Sequence, residues 1–170
     1  MDITRLIEDD HAEQRRLFAL IDDVPDAEVG ALTAVWGRLR ALLDAHAEAE
    51  ERFFYPELLK IGHGAADSDS AKDETKDAIK DHNEIRDAGS AVETCKVGTD
   101  EWRQAVAKAN EANSDHMAEE ERQGLADFRQ HASLELRNEL AIRFAEFQSN
   151  HLTGVKPVDK DPGRYVEENS

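Results

Sequence analysis

Four histidines recur along this chain at nearly equal intervals, and two of them are followed four residues later by a glutamate. The residues are His11, His46, His82 and His116, separated by 35, 36 and 34 positions, together with Glu50 and Glu120. On an α-helix, residues four apart lie on one face and about 6 Å apart along the axis. Each His-x-x-x-Glu pair can therefore offer an imidazole and a carboxylate to one point. Iron, manganese and zinc accept such mixed donors, whereas calcium prefers oxygen ligands alone.

The number of donors indicates two ions rather than one. A zinc site is usually complete with four ligands, and this pattern supplies four imidazoles and two carboxylates. Two glutamates that bridge a pair of ions would use both oxygens of each carboxylate and would offset their buried charge. A single histidine on an apolar face is more often a core residue bonded to the backbone. Repetition of the same feature on four helices favours a metal site.

Helices that could position these residues are predicted from the spacing of the apolar residues. They cover residues 3–23, 27–61, 71–95 and 100–129, with a shorter helix at 134–149. Each of the first four has an apolar stripe on one face, and each stripe contains one of the four histidines. Pro56 lies inside the second helix and is expected to kink it or to start its last turns afresh. Asp26, Ser70 and Thr99 are predicted helix N-caps.

The sequence therefore predicts an all-α fold, an up-down four-helix bundle with a short extra C-terminal helix. We expect the bundle to occupy residues 1–152. Residues 153–170 contain glycine, proline and few apolar side chains, which predicts an irregular or mobile tail.

Other ionisable residues near the motifs are expected to be surface charges. Glu51 and Glu121 follow the candidate ligands and are rotated by about 100° from them, although a shift in helix phase would exchange the roles. Asp10, Asp81 and Asp115 each precede a histidine, but adjacent residues do not face one another on a helix. Backbone carbonyls or water are the expected partners of the histidines. The remaining histidines are expected to face solvent: His63, His131 and His151.

The composition excludes several classes of function. Among 170 residues, 38 are acidic and 21 are basic, which gives a net charge of −17. This excess argues against nucleic-acid binding, which depends on neutralising phosphates with Lys and Arg. No apolar signal core and no apolar stretch of about 18 residues is present, so no membrane association is expected. With Cys95 as the single cysteine, a disulfide within the chain is excluded, and a cytoplasmic protein of unspecified oligomeric state is expected.

The motifs resemble those of the hemerythrin-like proteins, the HHE cation-binding group, over about residues 5–128. The matching residues are Asp10-His11, His46-x-x-x-Glu50-Glu51-Arg52-Phe53-Phe54-Tyr55-Pro56, Asp81-His82-Asn83-Glu84 and His116-x-x-x-Glu120-Glu121-Arg122. The resemblance implies a four-helix bundle around two non-haem iron ions, joined by an oxo or hydroxo bridge, that bind small diatomic or peroxide ligands. It also implies that the four histidines are terminal ligands and that Glu50 and Glu120 are bridging carboxylates.

One position departs from the pattern of the oxygen-carrying hemerythrins. These have a second histidine four residues after the one on the third helix, and this chain has Arg86 there. The resemblance then implies one imidazole fewer, replaced by water, hydroxide or another side chain. Such a site argues against reversible oxygen carriage and favours peroxide or nitric oxide chemistry. Whether Tyr55, five residues after Glu50, reaches the ions is not determined by spacing.

The leading hypothesis is a di-iron protein that binds or turns over hydrogen peroxide, oxygen or nitric oxide, with peroxide disproportionation as the catalytic version. Its alternative is a sensor or carrier of oxygen or nitric oxide without turnover, but the chain has little beyond the bundle to serve as an output module. Ferritin-like iron storage needs Glu-x-x-His on two helices, and only Glu8 to His11 matches. A metal-free interaction bundle is the fourth hypothesis. The residues that would carry catalysis are not identified by the sequence.

Overall fold

The computed structural model describes residues 1–66 and 70–170, and over this part of the chain the structure is helical and contains no β-strand. The α-helices are α1 (Ile3–Asp23), α2 (Val29–Ala49), α3 (Tyr55–Ile61), α4 (Ala71–Glu93), α5 (Asp100–Arg122), α6 (Gly124–His131), α7 (Leu134–Asn150) and α8 (Pro162–Asn169). The all-helical prediction is confirmed for these residues, including the extra helix predicted at 134–149. The expected helix at 100–129 is divided at Gln123 into α5 and α6.

Two of the three predicted N-caps are confirmed. The hydroxyl of Ser70 accepts a hydrogen bond from the backbone N–H of Asp73, and that of Thr99 accepts one from Trp102. The prediction for Asp26 is wrong, because α2 begins at Val29 after Glu28. The carboxylate of Asp26 instead accepts a 2.8 Å hydrogen bond from Arg103. The guanidinium is close enough to bond this carboxylate, whereas the first turn of α2 is not.

The second predicted helix contains a change of winding instead of the kink expected at Pro56. Residues Glu50–Phe54 form a π-helical segment between α2 and α3, in which each turn takes one residue more than in an α-helix. Pro56 lies in the first turn of α3, where its missing N–H leaves no bond broken. The wider turn places two consecutive acidic residues in the interior. Glu50 is 0% exposed and Glu51 is only 3% exposed.

Two apolar clusters form the core, and the candidate ligands lie between them in the sequence of each long helix. The first cluster includes Ile3, Ile7, Phe54, Ile79, Leu125 and Phe144. The second includes Leu17, Phe18, Leu39, Ile85, Trp102 and Val106. Along α1 and α4 the chain passes from the first cluster to the second. It passes from the second to the first along α2, and again from α5 into α6. A polar layer is thereby enclosed by apolar side chains at both ends.

The end of the chain contains a helix, Pro162–Asn169, where the sequence predicted an irregular or mobile tail. Asp161 caps α8 by accepting a hydrogen bond from the N–H of Arg164, and Tyr165 on this helix is buried. The helix packs against α4 and α3, because Tyr165 gives it one apolar side chain to bury. None of the helices among the described residues has the length and apolar character needed to cross a membrane.

Candidate metal centre

The structure brings the six predicted ligands together in the polar layer. They form two groups, one of His11, His46, Glu50 and Glu120 and one of Glu50, His82 and His116. Within each group, one potential ligand atom per residue lies within 4.8 Å of the others. None of the six residues is more than 5% exposed. The sequence motifs therefore converge at one buried point, and Glu50 belongs to both groups.

Glu50 lies between the two groups with one oxygen facing each. Its Oε1 is 2.9 Å from Nε2 of His46, and its Oε2 is 3.3 Å from Nε2 of His82. The π-helical segment positions this carboxylate at its first residue, one α-helical turn after His46. A carboxylate whose two oxygens face different imidazoles is placed to bridge two cations.

Glu120 has two oxygens with different surroundings. Its Oε2 lies 3.3 Å from Nε2 of His11, whereas its Oε1 accepts a 2.5 Å hydrogen bond from the hydroxyl of Tyr55. This contact resolves the position of Tyr55, which the sequence left undetermined. Tyr55 is adjacent to the centre and holds the oxygen of Glu120 that does not face His11.

The buried polar atoms of the site fit a cation. Nε2 of His11, Nε2 of His46, both oxygens of Glu50 and Oε2 of Glu120 have no hydrogen-bond partner. Buried polar atoms without partners are rare and destabilising. The ring nitrogens Nε2 of His82 and His116 face each other at 3.1 Å. Bound cations would satisfy all of these atoms, and their nitrogen and oxygen types suit iron, manganese or zinc.

Each candidate histidine faces a carboxylate on another element through its outer nitrogen, Nδ1. The pairs and their distances are His11 with Glu121 at 3.0 Å, His46 with Asp10 at 2.9 Å, His82 with Glu51 at 2.8 Å and His116 with Asp81 at 3.6 Å. A carboxylate that accepts the Nδ1 proton fixes the tautomer in which Nε2 is free to bind a metal. The outer carboxylates therefore orient the imidazoles toward the centre.

The expectation that Glu51 and Glu121 are surface charges is wrong. The π-helical segment shifts the phase of the helix and turns Glu51 inward, where its side chain is 0% exposed. Glu121 is partly exposed but contacts Arg15 at 2.8 Å as well as His11. The expectation of carbonyl or water partners is therefore also wrong for His82, which faces Glu51, and for His11, which faces Glu121.

The expectation that Asp10 and Asp81 are solvated charges is also wrong. Neither contacts the histidine that follows it in the sequence, since Asp10 on α1 bonds His46 on α2, and Asp81 on α4 faces His116 on α5. Asp115 is exposed, as expected. Repetition of Asp-His at three sites was the available signal, and only the packing of neighbouring helices decides which aspartates face a histidine and which histidine each one faces.

The charges of the site shift the pKa values of its members. Burial by itself lowers the pKa of His82, but the close carboxylates of Glu50 and Glu51 raise it to about 9. Burial raises the pKa of Glu50, but the close imidazoles of His46 and His82 outweigh this and hold the pKa well below its usual range. Burial and the nearby charge of Glu120 raise the pKa of Tyr55 well above its ordinary value. Tyr55 therefore stays protonated and donates.

Arg86 occupies the position that departs from the family pattern. It is 4% exposed, and its Nη2 donates a 2.7 Å hydrogen bond to Oε1 of Glu51. Arg86 therefore adds a buried positive charge beside the outer carboxylate of His82 and is not among the candidate ligand groups.

The other three histidines lie outside the two groups. His63 and His131 are exposed, and their rings stack at 4.3 Å. His151 is half-buried rather than solvent-facing, because its ring stacks on Phe147 at 4.1 Å between centroids.

A narrow cleft between α4 and α5 reaches the centre on the side of His116. Its lining includes Tyr55, Glu74, Asp77, Asp81, His116 and Glu120. Four of these, Tyr55, Asp81, His116 and Glu120, also belong to the centre or to its immediate surroundings. The cleft is narrow, with free space for about one water-sized molecule, and its lining is largely acidic.

Comparison with known proteins agrees with the arrangement of the site. The family model of the hemerythrin HHE cation-binding domain matches residues 2–126. Searches of curated proteins and of solved structures found no match. The matched range contains all six candidate ligands and ends within α6, so that α7 and α8 lie outside it.

Proposed function

This chain belongs to the hemerythrin HHE cation-binding family, and from that premise we propose that it holds two iron ions and turns over small oxidants at them. The observation that carries the proposal is the position of Glu50, whose oxygens face His46 at 2.9 Å and His82 at 3.3 Å. A carboxylate between two groups of imidazoles is suited to a dinuclear centre rather than to a single ion.

The long helices are proposed to form an up-down four-helix bundle around this centre. The alternation of direction between the two apolar clusters along α1, α2, α4 and α5 supports this arrangement. It returns each histidine to one level and lets the outer carboxylates reach across to neighbouring helices.

The two metal positions are proposed to be unequal. His11, His46, Glu50 and Glu120 would hold the first ion, and Glu50, His82 and His116 would hold the second. Tyr55 occupies Oε1 of Glu120 with a hydrogen bond, which leaves the second position with fewer protein donors. Arg86 supports the same inequality, because the family's additional histidine is absent there.

When bound, the irons would supply one-electron redox chemistry and an open position for a small ligand. The residues of this chain would determine which molecules reach the irons and how the imidazoles are oriented. We propose the cleft past His116 as the entry route for small neutral molecules such as hydrogen peroxide, oxygen and nitric oxide. Tyr55 holds its hydroxyl proton on Oε1 of Glu120 beside the second position, and the outer carboxylates hold the imidazoles in orientation. Burial of all six ligands excludes bulk water and larger reductants.

Disproportionation of hydrogen peroxide is the catalytic version of this proposal, and binding of oxygen or nitric oxide without turnover is the alternative. The cleft and the hydroxyl of Tyr55 favour turnover, because peroxide chemistry requires proton movement. Iron storage is disfavoured, since Glu8, which would have to be a ligand in the Glu-x-x-His motif, pairs with Arg129 at 2.7 Å.

The test is iron analysis of the purified protein, followed by measurement of oxygen evolution from hydrogen peroxide. We expect two irons per chain, absorption bands of a bridged ferric pair and oxygen evolution that depends on the iron. His46→Ala and His116→Ala should reduce the iron content, and the exposed His63→Ala variant is the matched control. Two irons without oxygen evolution would favour the binding alternative, and an iron-free protein unaffected by these substitutions would contradict both.

A further inference from the structure

The C-terminal segment of the chain lies outside the family match. It nevertheless contacts Glu51, the outer carboxylate that faces His82 in the candidate metal centre. Asn83, the residue after His82 on α4, holds the backbone of Lys160 at two points. Its Nδ2 donates to the carbonyl oxygen of Lys160 at 2.8 Å, and its Oδ1 accepts from the N–H of Lys160 at 3.1 Å. The ammonium of Lys160 then contacts Glu51 and, at 3.0 Å, Glu48.

Tyr165 adds a second contact from the same segment. Its side chain is buried, and its hydroxyl donates a 2.5 Å hydrogen bond to the backbone oxygen of Glu51. The segment therefore holds Glu51 at both its carboxylate and its carbonyl group. Since Glu51 lies in the π-helical segment directly after Glu50, these contacts fix the backbone next to the carboxylate shared by the two groups.

Glu51 is the outer partner of His82 and is surrounded by cations. Its Oε1 accepts hydrogen bonds from Nδ1 of His82 at 2.8 Å and from Nη2 of Arg86 at 2.7 Å, and Lys160 contacts its Oε2. The carboxylate therefore divides its negative charge among three partners.

The other outer carboxylates have different surroundings. Glu121 contacts Arg15, and Asp10 contacts the neutral amide of Gln148. An outer carboxylate makes its histidine a stronger electron donor by drawing on the Nδ1 proton. Two cations on Glu51 weaken that effect, so that His82 is a weaker donor than His46, whose partner is Asp10.

We propose that Lys160 is a positioning residue for the second metal position. Through Glu51 it orients His82 and keeps the reduction potential of that position above the value that Glu51 would impose without it. This inference rests on the proposed two-iron function. It assigns a role in the centre to a part of the chain that the family match does not include.

The test compares iron-loaded full-length variants by their midpoint potentials. Lys160→Met removes the charge, and we expect the potential to fall. Lys160→Arg keeps the charge and should restore most of the wild-type value. Lys156→Met removes the same charge from an exposed residue of the same segment and should leave the potential unchanged. Circular dichroism and iron content, recorded for every variant, report whether the fold and the centre are intact.

A second measurement follows the exchangeable Nδ1 protons of the histidines in proton NMR spectra of the ferrous protein. Lys160→Met should move one paramagnetically shifted signal, the same signal that Glu51→Gln moves. Tyr165→Phe loosens the segment without changing its charge and should move this signal while changing the potential less than Lys160→Met does.

The outcomes separate this inference from the function on which it rests. A Lys160→Met variant with two irons, an unchanged potential and unchanged signals would overturn the role of Lys160 and leave the two-iron centre intact. An equal fall in potential in Lys156→Met or in Lys160→Arg would also overturn it. A wild-type chain that binds no iron would overturn both.

Discussion

The hydroxyl of Tyr55 donates a 2.5 Å hydrogen bond to Oε1 of Glu120, while Oε2 of the same carboxylate lies 3.3 Å from Nε2 of His11. The two oxygens of Glu120 therefore have different partners. This contrasts with Glu50, whose oxygens both face imidazoles. Tyr55 thus holds one oxygen of Glu120 that could otherwise serve the proposed second metal position.

Replacement of Tyr55 tests this control. In Tyr55→Phe, Oε1 of Glu120 loses its donor and becomes free to bind the second ion, which would fill the open position. We expect two irons to remain bound while azide, a small probe of that position, binds about tenfold more weakly. Spectroscopic titration of the ferric protein with azide measures the change. Azide affinity equal to or above the wild-type value would contradict the proposed role.

The outer carboxylates can be tested with two adjacent aspartates. Asp10→Asn removes the charge that accepts the Nδ1 proton of His46, and iron affinity should fall by about 10-fold to 100-fold. Asp9→Asn is the matched control, because Asp9 is exposed and pairs with Arg5. Competition with an iron chelator measures both affinities. Equal affinities in the two variants would show that Asp10 does not support the site.

Removal of metal should destabilise the protein. The site then retains buried nitrogen and oxygen atoms without partners, and the free energy of metal binding is lost from the folded state. A free metal concentration of about 100 times the dissociation constant stabilises the folded state by about 2.7 kcal/mol. Calorimetric melting of the iron-loaded and chelator-treated protein should show a lower melting temperature after treatment. Identical melting curves would argue against a metal centre.

Glu74 should make stability depend on pH. Burial raises its pKa to about 7, and the charge of Asp127 adds to this, although the N–H of Ala65 opposes it. Since the folded protein favours the protonated form, this contribution to stability is full below the ordinary pKa of 4.5 and is lost as the pH rises through about 7.

Glu74→Gln removes the ionisation and should raise the melting temperature relative to wild type at about pH 8 but change it little at about pH 5. The exposed Glu111→Gln variant serves as control. A stabilisation of Glu74→Gln that is independent of pH would exclude this explanation.

Two glycines on helices should respond to alanine in opposite ways. A Cβ at Gly89 would lie 1.6 Å from Nη1 of Arg40, which is buried and bonds Asp44 at 2.9 Å and the carbonyl of Arg86 at 3.1 Å. Gly89→Ala should displace this guanidinium and lower the free energy of unfolding by about 1–2 kcal/mol.

Gly37 has no neighbour within 4 Å of such a Cβ. Gly37→Ala should therefore stabilise its helix by up to about 1 kcal/mol. Urea unfolding measures both variants, and a stable Gly89→Ala would show that Arg40 relocates without loss.

The sequence predicted that the candidate ligands converge, because helical periodicity determines which residues share one face of a helix. The apolar stripes place His11, His46, His82 and His116 on inward faces, and nearly equal spacing brings them to one level when the helices pack. The structure confirms the helices and brings these residues together with Glu50 and Glu120.

Three features were decided by the tertiary structure. The π-helical turn buries Glu51, which regular α-helical geometry places at the surface. Asp10 bonds and Asp81 faces a histidine of a neighbouring helix, and α8 reaches Glu51 through Tyr165. A regular period predicts the direction of a side chain relative to its own helix. It does not predict local changes of winding or the contacts between residues distant in sequence, because these depend on how all the helices pack together.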